Sequence, residues 1–178
     1  MESGVHGGVG TWFLQQMAGP EVTLVVISPE LLTTYVDDGK AVYLTDSQFV
    51  DFSETAAAQW NRWLPDGLAS VLLFFDDNQA QVRRLAEARR LGFVHIMLDD
   101  NYPAGNGDNL SLRMVCNGLR PWQIVGASPV FRDDFNRIQR PLSAAEVENY
   151  QNGFYRDVAV YAEFPPACLK PVLACFWL

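Results

Sequence analysis

The sequence predicts an α/β fold built on a mostly parallel sheet with helices on both faces. Three observations carry this. Val71–Phe75 and Phe93–Leu98 are short apolar runs of the kind buried on both sides of a parallel sheet. Each run stops on acids, Asp76-Asp77 in the first case and Asp99-Asp100-Asn101 in the second. A charged helical pattern lies between them, and a strand–helix–strand crossover this short implies parallel, right-handed pairing. Sheets of this type present their polar functional groups at the carboxyl ends of the strands.

Whole-chain properties narrow the class. At 178 residues, 49% hydrophobic and 19% charged, the chain is long enough for one domain, spanning 1–178, with a sizeable core. Thirteen basic against twenty-one acidic residues give a net charge of −8. Such a surface repels phosphate backbones, so nucleic acid is not an expected partner. No apolar run approaches the ~20 residues of a membrane span, and no secretory signal pattern opens the chain. Cys116, Cys168 and Cys175 fit neither a zinc site nor a disulfide framework. The default compartment is therefore reducing, most simply cytoplasmic. Oligomeric state is not read from the sequence.

The elements follow in order. Four glycines between Gly4 and Gly10 form a loop that takes positive φ and admits close approach. Thr11–Met17 reads as a short helix closed by Gly19-Pro20, so the glycines lead into a helix N-terminus. Only Met1-Glu2-Ser3 precede the glycines. The expectation is a sheet whose first strand is missing or truncated, with truncation favoured. Val22–Ile27 is a β-branched run and a buried strand. Leu31–Val36 is a short helix and Ala41–Thr45 a third strand. Phe49–Leu64 is mixed loop and helix.

Asn78–Leu91 is amphipathic. Val82, Leu85, Ala86 and Ala88 or Arg89 face inward, while Arg83, Arg84, Glu87 and Arg90 face out, and Gly92 ends the helix. Leu110–Asn117 is a helix, and Arg120–Arg140 has no clear period. Ser143 with Glu146 fits a capping box that opens a helix to about Asn152. Asp157–Phe164 alternates like a strand. Ala167–Leu178 is an apolar tail.

Two constellations carry candidate chemistry. The first is Glu2 with Gly4, Gly8 and Gly10, followed by Glu30 after the second strand and Asp46 with Gln48 after the third. In a parallel sheet these loops line one crevice, and a carboxylate past the second strand can accept hydrogen bonds from ribose hydroxyls. The functional reading is a nucleoside-bearing cofactor; the bland one is a glycine-rich turn with solvated acids. The second constellation is Asp76-Asp77 with Asp99-Asp100-Asn101. Neighbouring strands lie ~4.8 Å apart, so side chains at two strand ends can converge on one ion. Carboxylate and amide oxygens without histidine or thiolate suit a hard cation such as Mg²⁺. Acids that merely end strands in loops are the alternative.

His95, inside an apolar strand, reads as a core residue. His6, in the glycine loop, could touch a ligand or act as a base. No GxSxG, cysteine–histidine pair or phosphate-loop pattern is present.

The run Glu2-Ser3-Gly4-Val5-His6-Gly7-Gly8-Val9-Gly10 resembles the E-x-G-x-x-x-G signature of class I S-adenosylmethionine-dependent methyltransferases, which have a Rossmann-like fold. The likeness is nearest to their cephalosporin-hydroxylase-like branch. It implies that the glycine loop holds the methionine part of the cofactor, that Glu30 binds ribose, and that Asp46 to Gln48 lie near adenine. Asp76 and Asp100-Asn101 are also similar to the Mg²⁺ ligands of metal-dependent catechol-type O-methyltransferases. In that family a catalytic lysine stands three residues after the first Asp; here the position is Gln79. The resemblance then leaves Asp77, His6 or metal-bound hydroxyl as the base.

The expected function is methyl transfer from S-adenosylmethionine to an oxygen of a small molecule or sugar, with Mg²⁺ as an optional assistant. The rival readings are a non-catalytic methyltransferase-like binding module and a glycan-metabolism protein on the same fold.

Overall fold

A computed structural model describes residues 1–5, 7–30, 41–77, 79–99, 101, 111–116, 130–132, 139–141 and 144–162. Five strands form one all-parallel sheet: β1 (Glu2–Ser3), β2 (Leu24–Ser28), β3 (Ala41–Thr45), β4 (Leu72–Phe75) and β5 (His95–Leu98). Their spatial order is β3-β2-β1-β4-β5. This is an α/β Rossmann-like arrangement, as the apolar runs and acid stops predict.

A first strand is present but only two residues long, so the missing-strand alternative fails and the short strand is what the favoured reading expects. Glu2 pairs with Val26 on one side and Phe74 on the other; Ser3 pairs likewise with Ile27 and Phe75. Two residues with polar side chains carry no strand signal of their own. Pairing on both sides supplies what propensity does not. The Met1 ammonium also donates to the Leu72 carbonyl at 2.9 Å, and Phe74 N–H to the Met1 carbonyl at 2.9 Å.

Helices lie on both faces. The alternation of β2 shows how. Leu24 and Val26 point to a cluster with Val5 and with Leu14 of α1 (Val9–Met17). Val25 and Ile27 point the other way, into the main core, which includes Ala88 and Leu91 of α3 (Gln81–Leu91). That core is aromatic. Phe52 stacks on Trp60 of α2 (Ala57–Trp60) with centroids 5.1 Å apart. It meets Phe75 and Phe93 edge-on at 5.1 and 6.0 Å. A further cluster joins Val82 and Leu85 of α3 to Val115 of α4 (Leu112–Cys116) and Phe154 of α5 (Ala144–Asp157). The outer side of α1 leaves Val9, Trp12, Phe13 and Met17 exposed.

Several elements depart from expectation. Arg84 is buried rather than outward, while Ala86 is exposed. The stripe that α3 turns inward is Gln81, Arg84, Leu85, Ala88 and Leu91, together with Val82. His95 is exposed rather than in the core, because β5 ends the order of this sheet. The alternation at 157–164 is not a strand in its described part. Asp157 ends α5, and residues 158–162 are irregular. Helix α5 recruits Phe154 and Tyr150 to the α3–α4 cluster, which outweighs the local two-residue period. The unpatterned stretch 120–140 contains β6 (Val130–Arg132), antiparallel to β7 (Gln139–Pro141). Cys116 is disulfide-bonded, so cysteine spacing no longer argues for a reducing compartment. Among the described residues no helix is long and apolar enough to cross a membrane. The helix expected at 31–36, Trp122, and the 167–178 tail lie outside the described residues.

Candidate functional site at the carboxyl edge of the sheet

The chain runs from β1 to β2 on one side, while β4 flanks β1 on the other. The order reverses between β1 and β4, and a crevice opens beyond their carboxyl ends at such a point. Gly4 leaves β1 there with φ +92° and donates its N–H to the Ile27 carbonyl at 2.9 Å. A Cβ on Gly4 would fall on the Asp76 carbonyl and lie 2.7 Å from Asp77 Cα. Glycine at position 4 is therefore what lets the exits of β1 and β4 cross. Gly7 and Gly8 also have positive φ, and Gly8 caps α1 without a side-chain bond. Gly10, in the first turn of α1, would place a Cβ 2.5 Å from Glu2 Oε1.

Glu2 lies under this turn, 1% exposed. Thr11 Oγ1 donates to its Oε2 at 2.6 Å. Burial pushes the Glu2 carboxyl above its ordinary value. The Thr11 hydroxyl and the N-terminal ammonium oppose the rise, and the Asp76 charge adds to it.

Beside this point, at the ends of β4 and β5 and the start of α3, a small pocket is lined by Asp76, Asp77, Gln79, Arg84 and Asp99. Asp77 does not stand free in it. Its Oδ2 accepts from Ser3 Oγ at 2.8 Å and from Arg84 Nε at 2.9 Å. Its Oδ1 accepts from the Gln79 N–H at 3.3 Å. Burial raises the Asp77 carboxyl, against the pull of the Arg84 guanidinium, Ser3 and Gln79.

Arg84, 4% exposed, also meets Asp51 at 3.2 Å and Glu87 at 2.8 Å. Its guanidinium sits 5.6 and 5.7 Å from the Phe52 and Phe75 ring centroids. Burial works against its charge, but Asp77, Asp51 and Glu87 together more than offset that and hold Arg84 above its ordinary range. Asp51, desolvated yet facing Arg84 and the Ser53 N–H, is held below the usual carboxylate range.

The other expected site residues gather along the same edge. Glu30, Asp46 and Gln48 are exposed at the ends of β2 and β3. Ser28 Oγ donates to the Glu30 carbonyl at 2.7 Å, and Asp46 N–H donates to the Pro29 carbonyl at 3.1 Å. The second bond ties the two loops to one another. Asp46 adopts φ +52°, a left-handed conformation uncommon outside glycine. Asn101, past β5, accepts from Arg113 N–H at 2.9 Å and donates to the Tyr161 hydroxyl at 2.6 Å. Gln81 bridges the same region, donating to the Asp99 carbonyl and accepting from Leu112 N–H at 2.9 Å. His6 and Asp100 lie outside the described residues.

Sequence reasoning missed Arg84, Asp51, Ser3 and Thr11. Arg84 did have a signal: it falls in the same helical stripe as Gln81, Ala88 and Leu91. Asp51 and Ser3 had none, because their partners lie 33 and 74 positions away.

The positive-φ turn, the uncapped start of α1 and the acids beyond β2 and β3 provide a cradle along which a nucleoside with an amino-acid arm can lie. Of the residues proposed for Mg²⁺, Asp76 and Asn101 are described and Asp100 is not. Among the described residues no three His, Cys, Asp or Glu side chains come together. Both ends of the Asn101 amide are already bonded. Comparison with protein-family models, curated proteins and solved structures returned no match.

Proposed function

We propose that this chain binds S-adenosylmethionine along the carboxyl edge of β3-β2-β1-β4 and transfers its methyl group to an oxygen of a small molecule or sugar. The supporting observation is the conjunction at the switch point. An all-parallel 3-2-1-4-5 order places a positive-φ glycine turn, a buried acid and two exposed acidic loops along one edge. When bound, the cofactor supplies an electrophilic methyl on a sulfonium. The glycine turn and the α1 N-terminus receive the amino-acid arm. Glu30 accepts from ribose hydroxyls, and Asp46 to Gln48 border the adenine. These residues hold the cofactor for in-line attack, so the catalytic contribution is mainly positioning.

One observation favours the second reading, a non-catalytic binding module. Asp77 is spent on Arg84 and Ser3, and Gln79 stands where the catechol-type pattern has its lysine. Calorimetric titration separates these readings. Heat on adding S-adenosylmethionine, with methyl transfer to a panel of hydroxylated acceptors, supports the enzyme. Heat without transfer supports the module. A folded chain that gives no heat at millimolar cofactor refutes both.

A further inference from the structure

A buried arginine is uncommon and asks for an account of its position. Arg84 joins parts of the chain that are otherwise far apart. Its Nε holds Asp77, whose Oδ2 also takes the Ser3 hydroxyl at the end of β1. Its terminal nitrogens hold Asp51, in the loop after β3, at 3.2 and 3.3 Å. Glu87 fixes the same fork from within α3 at 2.8 Å.

We infer that Arg84 is a positioning residue coupling the loop after β3 to the exits of β4 and β1, with Asp51 acting on Asp77 and Ser3 through it. A guanidinium is planar, and its donors have fixed directions. It cannot turn to follow Asp51 without giving up its alignment with Asp77. Phe52 and Phe75 lie beside it at 5.6 and 5.7 Å and restrict the other motions. Displacement of the loop at Asp51 is therefore passed to Asp77, and from Asp77 to Ser3 and the crossing at Gly4. If the edge binds S-adenosylmethionine as proposed above (only the ligand arm of the test rests on that reading), the bridge keeps the adenine and methionine ends of the site at a fixed spacing.

Amide hydrogen exchange on the full chain tests the coupling without any ligand. Asp51→Asn should speed exchange at Asp76, Asp77 and Gln79 about tenfold, the scale of one weakened charge-assisted bond. Exchange within β2 should stay at the wild-type rate. Faster exchange confined to residues 51–55 overturns the inference. If Asp51→Asn does not fold, Arg84→Lys replaces it, keeping the charge but losing the fork. It should loosen both segments, and a wild-type rate in either one overturns the inference. S-adenosylhomocysteine is the probe for the ligand arm. Its affinity should fall about tenfold in Asp51→Asn with the melting temperature little changed, and an unchanged affinity counts against positioning. Wild-type chain that does not bind the probe removes the cofactor reading, while the exchange result still decides the coupling.

Discussion

Gly4 and Glu2 set the geometry of the edge at the scale of single residues. Gly4→Ala places a methyl on the backbone of Asp76 and Asp77 at a positive φ, so neither strain nor contact can relax cheaply. The expected loss is about 2–3 kcal/mol, read from denaturant midpoints. Glu2 carries a pH signature. A carboxyl whose native value is raised binds its proton more tightly when folded. Its contribution is fully present below the unfolded value, 4.5, and is lost as pH rises through the native one. Stability should therefore decline as pH climbs above that point. Glu2→Gln, which removes the buried charge and keeps an acceptor for Thr11, should flatten part of the decline. Asp77, shifted in the same direction, adds to the decline. Asp51 has the opposite sign: its stabilisation is present at neutral pH and is lost in acid, below its ordinary 3.8. Urea titrations across this range, on wild type and Glu2→Gln, check the assignment.

Among the elements, α3 shows how far local pattern reaches. Its end was legible: Gly92 takes φ +105° and donates to the Ala88 and Arg89 carbonyls, both at 3.0 Å. Gly92→Ala meets only Leu68 Cδ1, at 3.9 Å, so the cost is backbone strain alone, about 1 kcal/mol. Thermal unfolding of the Gly4→Ala and Gly92→Ala pair should thus separate strain plus collision from strain alone. A smaller loss at Gly4 would contradict the loop crossing. The inward face of α3 was only partly legible. Charge alone assigned Arg84 to solvent, yet three carboxylates and two aromatic rings make a buried place for it. The acids at the strand ends read as ion ligands or as plain loop residues. The structure pairs one of them, Asp77, with Arg84.

For the molecule as a whole, the main core converges on Phe52, which touches Trp60, Phe75 and Phe93 and lies directly after Asp51, a partner of Arg84. Phe52→Ala should cost about 3–5 kcal/mol in unfolding free energy. It should also loosen the Asp51–Arg84 bridge, visible as faster exchange at Asp77. A loss under about 1 kcal/mol would mean that the cluster closes around the gap, contrary to a tightly packed centre.

The sequence by itself determined the parallel α/β class, four of the five sheet strands to within a residue or two, the glycine turn and the edge on which the acids collect. Periodicity, β-branched runs and helix stops are local signals and survive without a structure. Only the tertiary structure decided that Glu2–Ser3 is the central strand, that Arg84 is buried, and that Asp77 is bound rather than free. Each of these depends on partners brought together across the sheet. A two-residue strand or a buried cation is stabilised by neighbours that its own stretch of sequence does not name.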